Sequence, residues 1–206
     1  KIHSFLDADM TDIELEATVT DIQTADDLSL LTKEEAVPDY MAELIGPDGK
    51  LISDTLYYMK DGDGVSTMPE LVRTEETSLK LVYATVEFSN PGTEAVHDAW
   101  FMVPLIPIVK DGNTYKIFNR ADDTCDYVEN EHIGVRYEML YHDISGGQKH
   151  NNYIPEIKPG ESVTMHLAWI VNEDELDKLY LDFRGDGIFS EEGLKTGYVR
   201  IGDRVN

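Results

Sequence analysis

The sequence SLKLVYATVEFS at residues 78–89 decides the fold class of this chain. Its apolar positions fall on both faces of an extended strand, because successive side chains of a strand point to opposite sides. One face carries Leu79, Leu81 and Tyr83, and the other carries Val82, Ala84, Val86 and Phe88. Apolar residues on both faces are typical of a central strand that is covered on two sides. We therefore predict a buried central strand that ends at the Asn90-Pro91-Gly92 turn.

Other segments repeat the strand-like pattern around this central one. Residues 12–22 and 162–171 alternate apolar and polar side chains, as half-buried strands do. The Asp111-Gly112-Asn113 turn between two apolar runs predicts a hairpin. Eight or more short strands, separated by turns rich in Gly, Pro, Asn and Asp, predict an all-β sandwich.

The segment 24–77 departs from this regular pattern. Residues 24–35 have the best helical spacing, with Thr24 or Asp26 as the cap and Pro38 as the stop. The Pro47-Asp48-Gly49 turn predicts a hairpin whose arms lie at 40–45 and 50–59. We therefore expect an inserted hairpin and one short helix.

The chain shows no convincing linker, so we predict one elaborated domain over residues 1–206. Its core is expected at about 12–22 and 78–183. The segment 24–77 is an insertion, and 184–206 is a C-terminal extension.

The charge of the chain limits its partners. Among 206 residues there are 17 Lys and Arg against 41 Asp and Glu, a formal net charge of −24. Nucleic-acid binding needs clustered basic side chains, and an anionic membrane surface attracts them, so both are disfavoured as partners. The simplest interpretation is solubility through self-repulsion, and the alternative is an attraction for cations or basic partners.

The cysteine does not indicate a reactive thiol, and the apolar runs do not indicate a membrane-spanning helix. Cys125 is the only cysteine, and the nearby Asp122, Asp123 and Asp126 disfavour its thiolate, so we predict a small half-buried side chain. The longest uncharged stretch, 99–109, has 11 residues and two prolines. A membrane-spanning helix needs about 20 apolar residues, so none is predicted. The chain starts at Lys1, and we expect that any targeting segment has been removed.

Three segments together resemble a known domain family. They read YATVEFSNPGTEAV at 83–96, KDGNTY at 110–115, and IKPGESVT followed by LAWIV at 157–171, with LYLDF at 179–183. They resemble the immunoglobulin-like domains of secreted lipoproteins from Gram-positive bacteria, a domain family of unknown function that includes immunoprotective extracellular antigens. The resemblance covers about 12–22 and 78–183.

This resemblance implies an immunoglobulin-like antiparallel β-sandwich, here with the inserted hairpin and the short helix. It also implies an extracellular or cell-surface location. Members are usually tethered by a lipidated N-terminal cysteine, so membrane contact is expected only through such an anchor, which this sequence does not contain. The family offers no catalytic residues to carry over.

Asp61 and Asp63 are the weak candidates for a metal site. In Asp61-Gly62-Asp63-Gly64 the carboxylates lie two residues apart between glycines, as in calcium loops. An EF-hand also needs an oxygen ligand at position 5 and Glu at position 12, and Val65 and Val72 stand there. A solvated turn is therefore favoured, and no cofactor is predicted beyond an adventitious calcium ion.

Sequence motifs give no support for catalysis. None of the six histidines forms a zinc-binding pair, although His142 and His150 flank a Gly-Gly loop. There is no Gly-x-Ser-x-Gly nucleophile elbow and no glycine-rich phosphate loop. Arg184-Gly185-Asp186 matches a tripeptide of adhesion ligands, but three residues are weak support, and a turn is favoured.

We therefore expect a non-enzymatic extracytoplasmic binding or adhesion-type module for an unknown protein or glycan at the cell surface. A calcium- or cation-stabilised structural domain of the cell envelope is the main alternative. A hydrolase of unknown class ranks below both. Fold alone does not decide among them.

Overall fold

A computed structural model describes residues 5–6, 12–32, 37–97, 99–134, 136–143, 153–154, 156–184 and 189–202. Short strands dominate these residues. They are β1 Phe5–Leu6, β2 Asp12–Ile13, β3 Glu16–Ala25, β4 Ser53–Lys60, β5 Glu70–Ser89, β6 Ala99–Trp100, β7 Leu105–Asp111, β8 Thr114–Ile117, β9 Tyr127–Asn130, β10 Tyr141–His142, β11 Tyr153–Ile154, β12 Ser162–Asn172, β13 Leu179–Asp182 and β14 Tyr198–Arg200.

Helices are few and short in the described residues. Helix α1 spans Asp39–Glu43, a 3₁₀ helix spans Glu173–Lys178, and α2 spans Glu191–Gly197. The hydroxyl of Ser190 caps α2 by accepting the Gly193 N–H at 2.9 Å. None of the described helices is long and apolar enough to cross a membrane.

The main sheet is built around β5, as the alternation at 78–89 predicts. Strand β12 pairs with it antiparallel from Ser162↔Ser89 to Asn172↔Leu79. Strand β3 also pairs antiparallel with the same half of β5. The sheet order is β10-β12-β5-β4-β9, with β3 as a further partner of β5.

A second layer of strands covers one face of the main sheet. It consists of two four-stranded groups, β11-β6-β1-β2 and β14-β13-β7-β8. Phe88 and Trp169 of the main sheet pack with Phe101 and Leu181 of this layer in the largest apolar cluster. The buried Trp169 indole also donates from Nε1 to the Val103 carbonyl at 2.7 Å. The prediction of an all-β antiparallel sandwich is therefore confirmed.

The opposite face of the main sheet is covered by the first part of the insertion. Tyr83 and Ile170 lie on this face, together with the fully buried Met41 of α1. Leu28, Leu31 and other half-buried residues up to Ile52 pack on them. Burial of each large apolar side chain contributes about 1.5–3 kcal/mol, so this cover stabilises the sheet.

Two local predictions within the insertion are wrong. Strand β3 continues through Ala25, which pairs with Leu81, and no helix occupies the described residues of 24–35. The expected first hairpin arm at 40–45 is instead helix α1 followed by a single bridge, Ile45↔Leu51. The short helix exists, but it lies later in the chain than predicted.

The inserted hairpin of the structure is β4 with the first half of β5. The two strands pair antiparallel from Ser53↔Ser78 to Lys60↔Glu70. The expected boundary at residue 77 thus falls inside a continuous strand of 20 residues.

Candidate functional site

The first half of β5 extends beyond the sandwich. Strand β12 pairs with β5 only from Leu79 to Ser89, whereas β5 begins at Glu70. The nine residues 70–78 add about 30 Å at roughly 3.3 Å per residue. They pair with β4, and β9 pairs with the other edge of β4. We call this three-stranded extension, residues 53–60, 70–78 and 127–130, the ribbon.

The loop at residues 61–69, which we call the tip, is ordered by the carboxylate of Asp63. Its Oδ1 accepts the backbone N–H groups of Val65, Ser66 and Thr67 at 2.9, 2.6 and 2.8 Å. The Thr67 hydroxyl accepts the Asp63 N–H at 2.8 Å. These backbone hydrogen bonds lower the pKa of Asp63 to about 2.

Glycines allow the tight path of the tip. A Cβ at Gly62 would lie 2.3 Å from the Thr67 carbonyl oxygen, so no side chain fits there. Gly64 has a φ of +69°, a left-handed conformation that glycine adopts without steric strain. The Asp-Gly-Asp-Gly sequence thus closes the loop on its own backbone.

The tip presents apolar side chains to solvent. Val65 is 92% exposed and Met68 is 84% exposed. Leu71 and Val72, at the start of β5, are about half exposed. Of the six exposed large hydrophobic side chains in the described residues, these four lie within eight positions. Clustered exposed apolar residues mark interaction sites more often than isolated ones do.

A small cluster supports the middle of the ribbon. Leu56 and Tyr58 of β4 pack on Cys125, which is 5% exposed and therefore more buried than the half-buried state we predicted. The guanidinium of Arg73 lies 3.6 Å from the centre of the Tyr58 ring. The same guanidinium donates to Asp122 at 2.7 Å. The hydrogen bonds from Thr124, together with this one, hold the pKa of Asp122 below its usual range.

Arg120 and the 3₁₀ helix join the ribbon to the sandwich. The guanidinium of Arg120 donates to both carboxylate oxygens of Asp174, at 2.8 and 2.7 Å, and to Glu175 Oε1 at 2.7 Å. Asp174 Oδ1 also accepts the hydroxyl of Thr77 in the ribbon at 3.1 Å. The other Glu175 oxygen accepts the buried Tyr137 hydroxyl at 2.5 Å. We call these five residues the clamp.

Neighbouring charges and burial shift the pKa values of three clamp residues. Burial opposes the charged form of Arg120, but Asp174 and Glu175 outweigh it and raise the pKa of the guanidinium above its ordinary value. Burial, reinforced by Glu175, raises the pKa of Tyr137. Burial acts against the charged form of Asp174, but the bonds from Arg120 lower its pKa overall. The clamp is therefore a set of mutually satisfied ionic and neutral partners.

Two hollows lie among the described residues, and central polar groups beside each of them already bind protein atoms. One of about 40 Å³ lies beside Arg120, Tyr137 and Glu175, whose polar groups bind one another. Another of about 340 Å³ lies at the Asn90 turn, where the Asn90 amide donates to backbone carbonyls at 2.8 and 2.9 Å. Small-molecule sites typically measure about 300–1,000 Å³ and place a few convergent polar groups around the ligand, and only the second hollow reaches that size.

Two aspartate–histidine pairs were not found by sequence reasoning. The fully buried Asp54 accepts from the backbone N–H of His132 at 3.0 Å, and its Oδ1 lies 3.1 Å from the ring Nδ1. Asp143 makes the equivalent two contacts with His166, whose ring stacks on Tyr83. In both pairs one aspartate engages the ring and backbone of the same residue, which fixes the imidazole orientation. The partners lie 78 and 23 positions apart, so no local motif signals them.

The structure does not gather the predicted metal candidates into a cluster. The Asp63 carboxylate binds the tip backbone, and the Asp61 N–H donates to Asp126 at 2.8 Å. Within the described ranges no group of three or more His, Cys, Asp or Glu could share a cation. A calcium ion at Asp61 and Asp63 stays a prediction, which a calcium-dependent rise in Tm would support.

The remaining sequence motifs lie only partly within the described residues. His142 is buried in β10 against Phe101, whereas His150 lies outside the described residues. In the Arg184-Gly185-Asp186 motif, Gly185 and Asp186 also lie outside them. The Arg184 side chain packs close to Gly197, where a Cβ would meet it at 1.9 Å.

Comparison of the chain with protein-family models, with curated proteins and with solved structures finds no match. The resemblance in residues 83–96, 110–115 and 157–183 therefore stays a prediction. The function must be argued from the geometry of the ribbon, the tip and the clamp.

Proposed function

We propose that this protein is a non-enzymatic binding module that engages a macromolecular partner through the tip. The observation that carries the proposal is the exposure of Val65 and Met68 on a loop that its own hydrogen bonds hold in place. An ordered loop loses little conformational entropy on binding, so its apolar contacts contribute more fully to affinity.

The ribbon and the clamp fit this role. The ribbon carries the tip about 30 Å beyond the paired region of β12, where a large partner can approach without touching the sandwich. The bidentate bond from Arg120 to Asp174, which also accepts from Thr77, restrains the base of the ribbon. A restrained base and an ordered tip together make a preorganised contact surface.

An extracytoplasmic setting is the second half of the proposal, and its support is the sequence resemblance. Protease treatment of intact cells that make the full-length protein tests it. A surface protein is degraded while a cytoplasmic marker survives. Survival of both proteins until the cells are lysed would contradict the extracytoplasmic assignment.

Site-specific photo-crosslinking tests the binding role. A photoreactive amino acid placed at residue 68 of the full-length protein, in the cells that produce it, should give a discrete adduct on irradiation. The same group at the exposed Lys116 of β8 is the matched control and should not give that adduct. Adding Val65→Asp to the residue 68 probe should remove the adduct without changing Tm, since Val65 is 92% exposed. Equal labelling from residues 68 and 116 would overturn the proposal.

A further inference from the structure

One edge of the ribbon is not paired with any strand that the structure describes. Residues 70–78 of β5 pair with β4 on one side, and β12 stops at Leu79 on the other. Among the described residues, no strand pairs with that second edge of Glu70–Glu76. We call this stretch the free edge. At roughly 3.3 Å per residue it is about 23 Å long.

An unpaired strand edge offers a row of backbone N–H and C=O groups to another chain. Peptide-binding domains use such edges to add an extended segment as a further strand, and the backbone bonds supply affinity. The free edge is exposed along almost its whole length, with only Arg73 half-buried. Leu71 and Val72 provide apolar contact beside it.

The charge of the ribbon selects the kind of segment that fits. Residues 53–76, which comprise β4, the tip and the start of β5, contain six acidic and two basic side chains. One of the two bases, Arg73, is bound to Asp122. Glu70, Glu75 and Glu76 are exposed along the free edge, although the carboxylates of Glu75 and Glu76 also accept hydroxyl hydrogen bonds from β4 at 2.7 and 3.0 Å. Like charges directly opposite each other destabilise a strand pair, so a second copy of this acidic chain is a poor occupant. A basic segment is favoured.

We infer that the free edge binds an extended, basic segment of the partner protein by strand addition. This inference rests on the proposed function, because it names the partner chemistry next to the tip. Glu70 shares one face of the ribbon with Glu75, and Leu71 shares the other face with Glu76. Lys or Arg side chains of the added strand therefore lie beside Glu70 and Glu75, and its apolar side chains lie beside Leu71, on the face where Glu76 adds negative charge. The tip and the free edge then form one continuous contact surface.

The alternative role for the glutamates is protection of the edge. Natural sheets place charges on edge strands to prevent pairing with other chains. The free edge itself contains a β-bulge, because Val72 is an extra residue of β5 between the partners of Tyr58 and Met59, and bulges also disfavour edge pairing. A purely protective edge would not bind any strand, whatever its charge.

Synthetic peptides on the full chain separate these roles. The probe is a capped peptide of alternating Lys and Val, about seven residues long to match the free edge. The control is a peptide of the same length with alternating Glu and Val. The Lys–Val peptide should bind with a Kd that is at least about tenfold lower than the Kd of this control. A Lys–Pro peptide keeps the charge but lacks the backbone donors at every second position, and it should bind at least about tenfold more weakly.

Matched variants and hydrogen exchange locate the binding. The double variant E70K/E76K should weaken binding of the Lys–Val peptide about tenfold or more. E94K/E161K makes the same charge change with two exposed glutamates near the other end of β5, and it should leave the Kd unchanged. Bound peptide should slow amide exchange in Glu70–Glu76 and leave the edge strand β8 unaffected.

Three results would overturn the inference. They are no binding of the Lys–Val peptide, equal binding of the Lys–Pro peptide, and binding without slower exchange in Glu70–Glu76. None of them bears on the crosslink from residue 68, which depends on the tip alone. Failure of strand addition is therefore distinguishable from failure of the proposed function.

Discussion

The carboxylate of Asp63 holds the tip by accepting three backbone N–H bonds, and this makes the tip sensitive to acid. The folded-state pKa is about 2, below the ordinary value of 3.8. A group with a depressed folded-state pKa stabilises the fold above its unfolded pKa. That contribution is lost as the pH falls from about 4 through about 2. Protonation removes the charge that strengthens the three bonds.

We predict that the amide signals of Val65, Ser66 and Thr67 titrate together with a midpoint near pH 2. Two-dimensional NMR between neutral and acidic pH measures this directly, since all three N–H groups bind the same oxygen. In Asp63→Asn the neutral amide should abolish the transition. The neighbouring Asp61→Asn serves as the control and should leave it in place. A common midpoint near 4 would mean that Asp63 does not accept these bonds in solution.

At the scale of elements, the clamp links the 3₁₀ helix to three other parts of the chain. Arg120 follows β8, Thr77 belongs to the ribbon, and Tyr137 forms an isolated bridge with Leu105 of β7. All three meet at Asp174 and Glu175. A buried carboxylate that loses a hydrogen-bond donor is strongly destabilising, because its desolvation is no longer offset.

We predict that Tyr137→Phe lowers the free energy of unfolding by about 1–3 kcal/mol, because Glu175 then loses a buried donor. Urea denaturation followed by circular dichroism measures the change. Tyr57→Phe removes a hydroxyl from a half-buried ribbon residue and should change stability by less than about 0.5 kcal/mol. Equal effects of the two substitutions would show that the Tyr137 hydroxyl has no special role.

The elements that the sequence predicts are those whose side chains alternate. The alternation of Ala17, Val19 and Phe88 with polar neighbours reflects real burial on one face of β3 and β5. The stretch Glu70–Thr77 shows no such pattern, because both of its faces carry exposed or half-exposed residues. Periodicity arises from one-sided burial, so this half of β5 cannot be found this way, whereas β4, which is buried on alternate residues, falls within the predicted arm 50–59 except for Lys60.

Helix α1 and the candidate site were missed for similar reasons. Met41 is the only residue of α1 that is buried, which is too weak a signal in five positions to outweigh the nearby Pro-Asp-Gly turn. Val65 and Met68 are unremarkable in sequence, and only their exposure in the folded loop makes them candidates. The clamp joins residues 38 to 97 positions apart, and such contacts leave no local spacing.

At the scale of the whole molecule, the acidic surface opposes the compact state. The chain of 206 residues has a formal charge of −24, and this excess of acidic side chains persists when every base forms an ion pair. Several of the ion pairs are well exposed, such as Lys195–Glu191, and pairs of this kind contribute little to stability. Self-repulsion is larger in the compact state than in the expanded unfolded chain, so a high net charge destabilises the fold.

We therefore predict that salt stabilises this protein. Raising NaCl from about 0.05 to about 0.5 M shortens the Debye length from roughly 14 to 4 Å. The higher salt concentration therefore screens the repulsion between acidic side chains on different parts of the surface. Differential scanning calorimetry at neutral pH should show a higher Tm at the higher salt concentration.

KCl should raise the Tm as much as NaCl does, because the effect depends on ionic strength alone. CaCl₂ at matched ionic strength should add nothing further unless an ion binds the native state. A Tm that falls with NaCl would mean that the specific pairs, the clamp foremost, outweigh the repulsion. The clamp is part-buried and is screened less than the open surface, so a rise is the expected result.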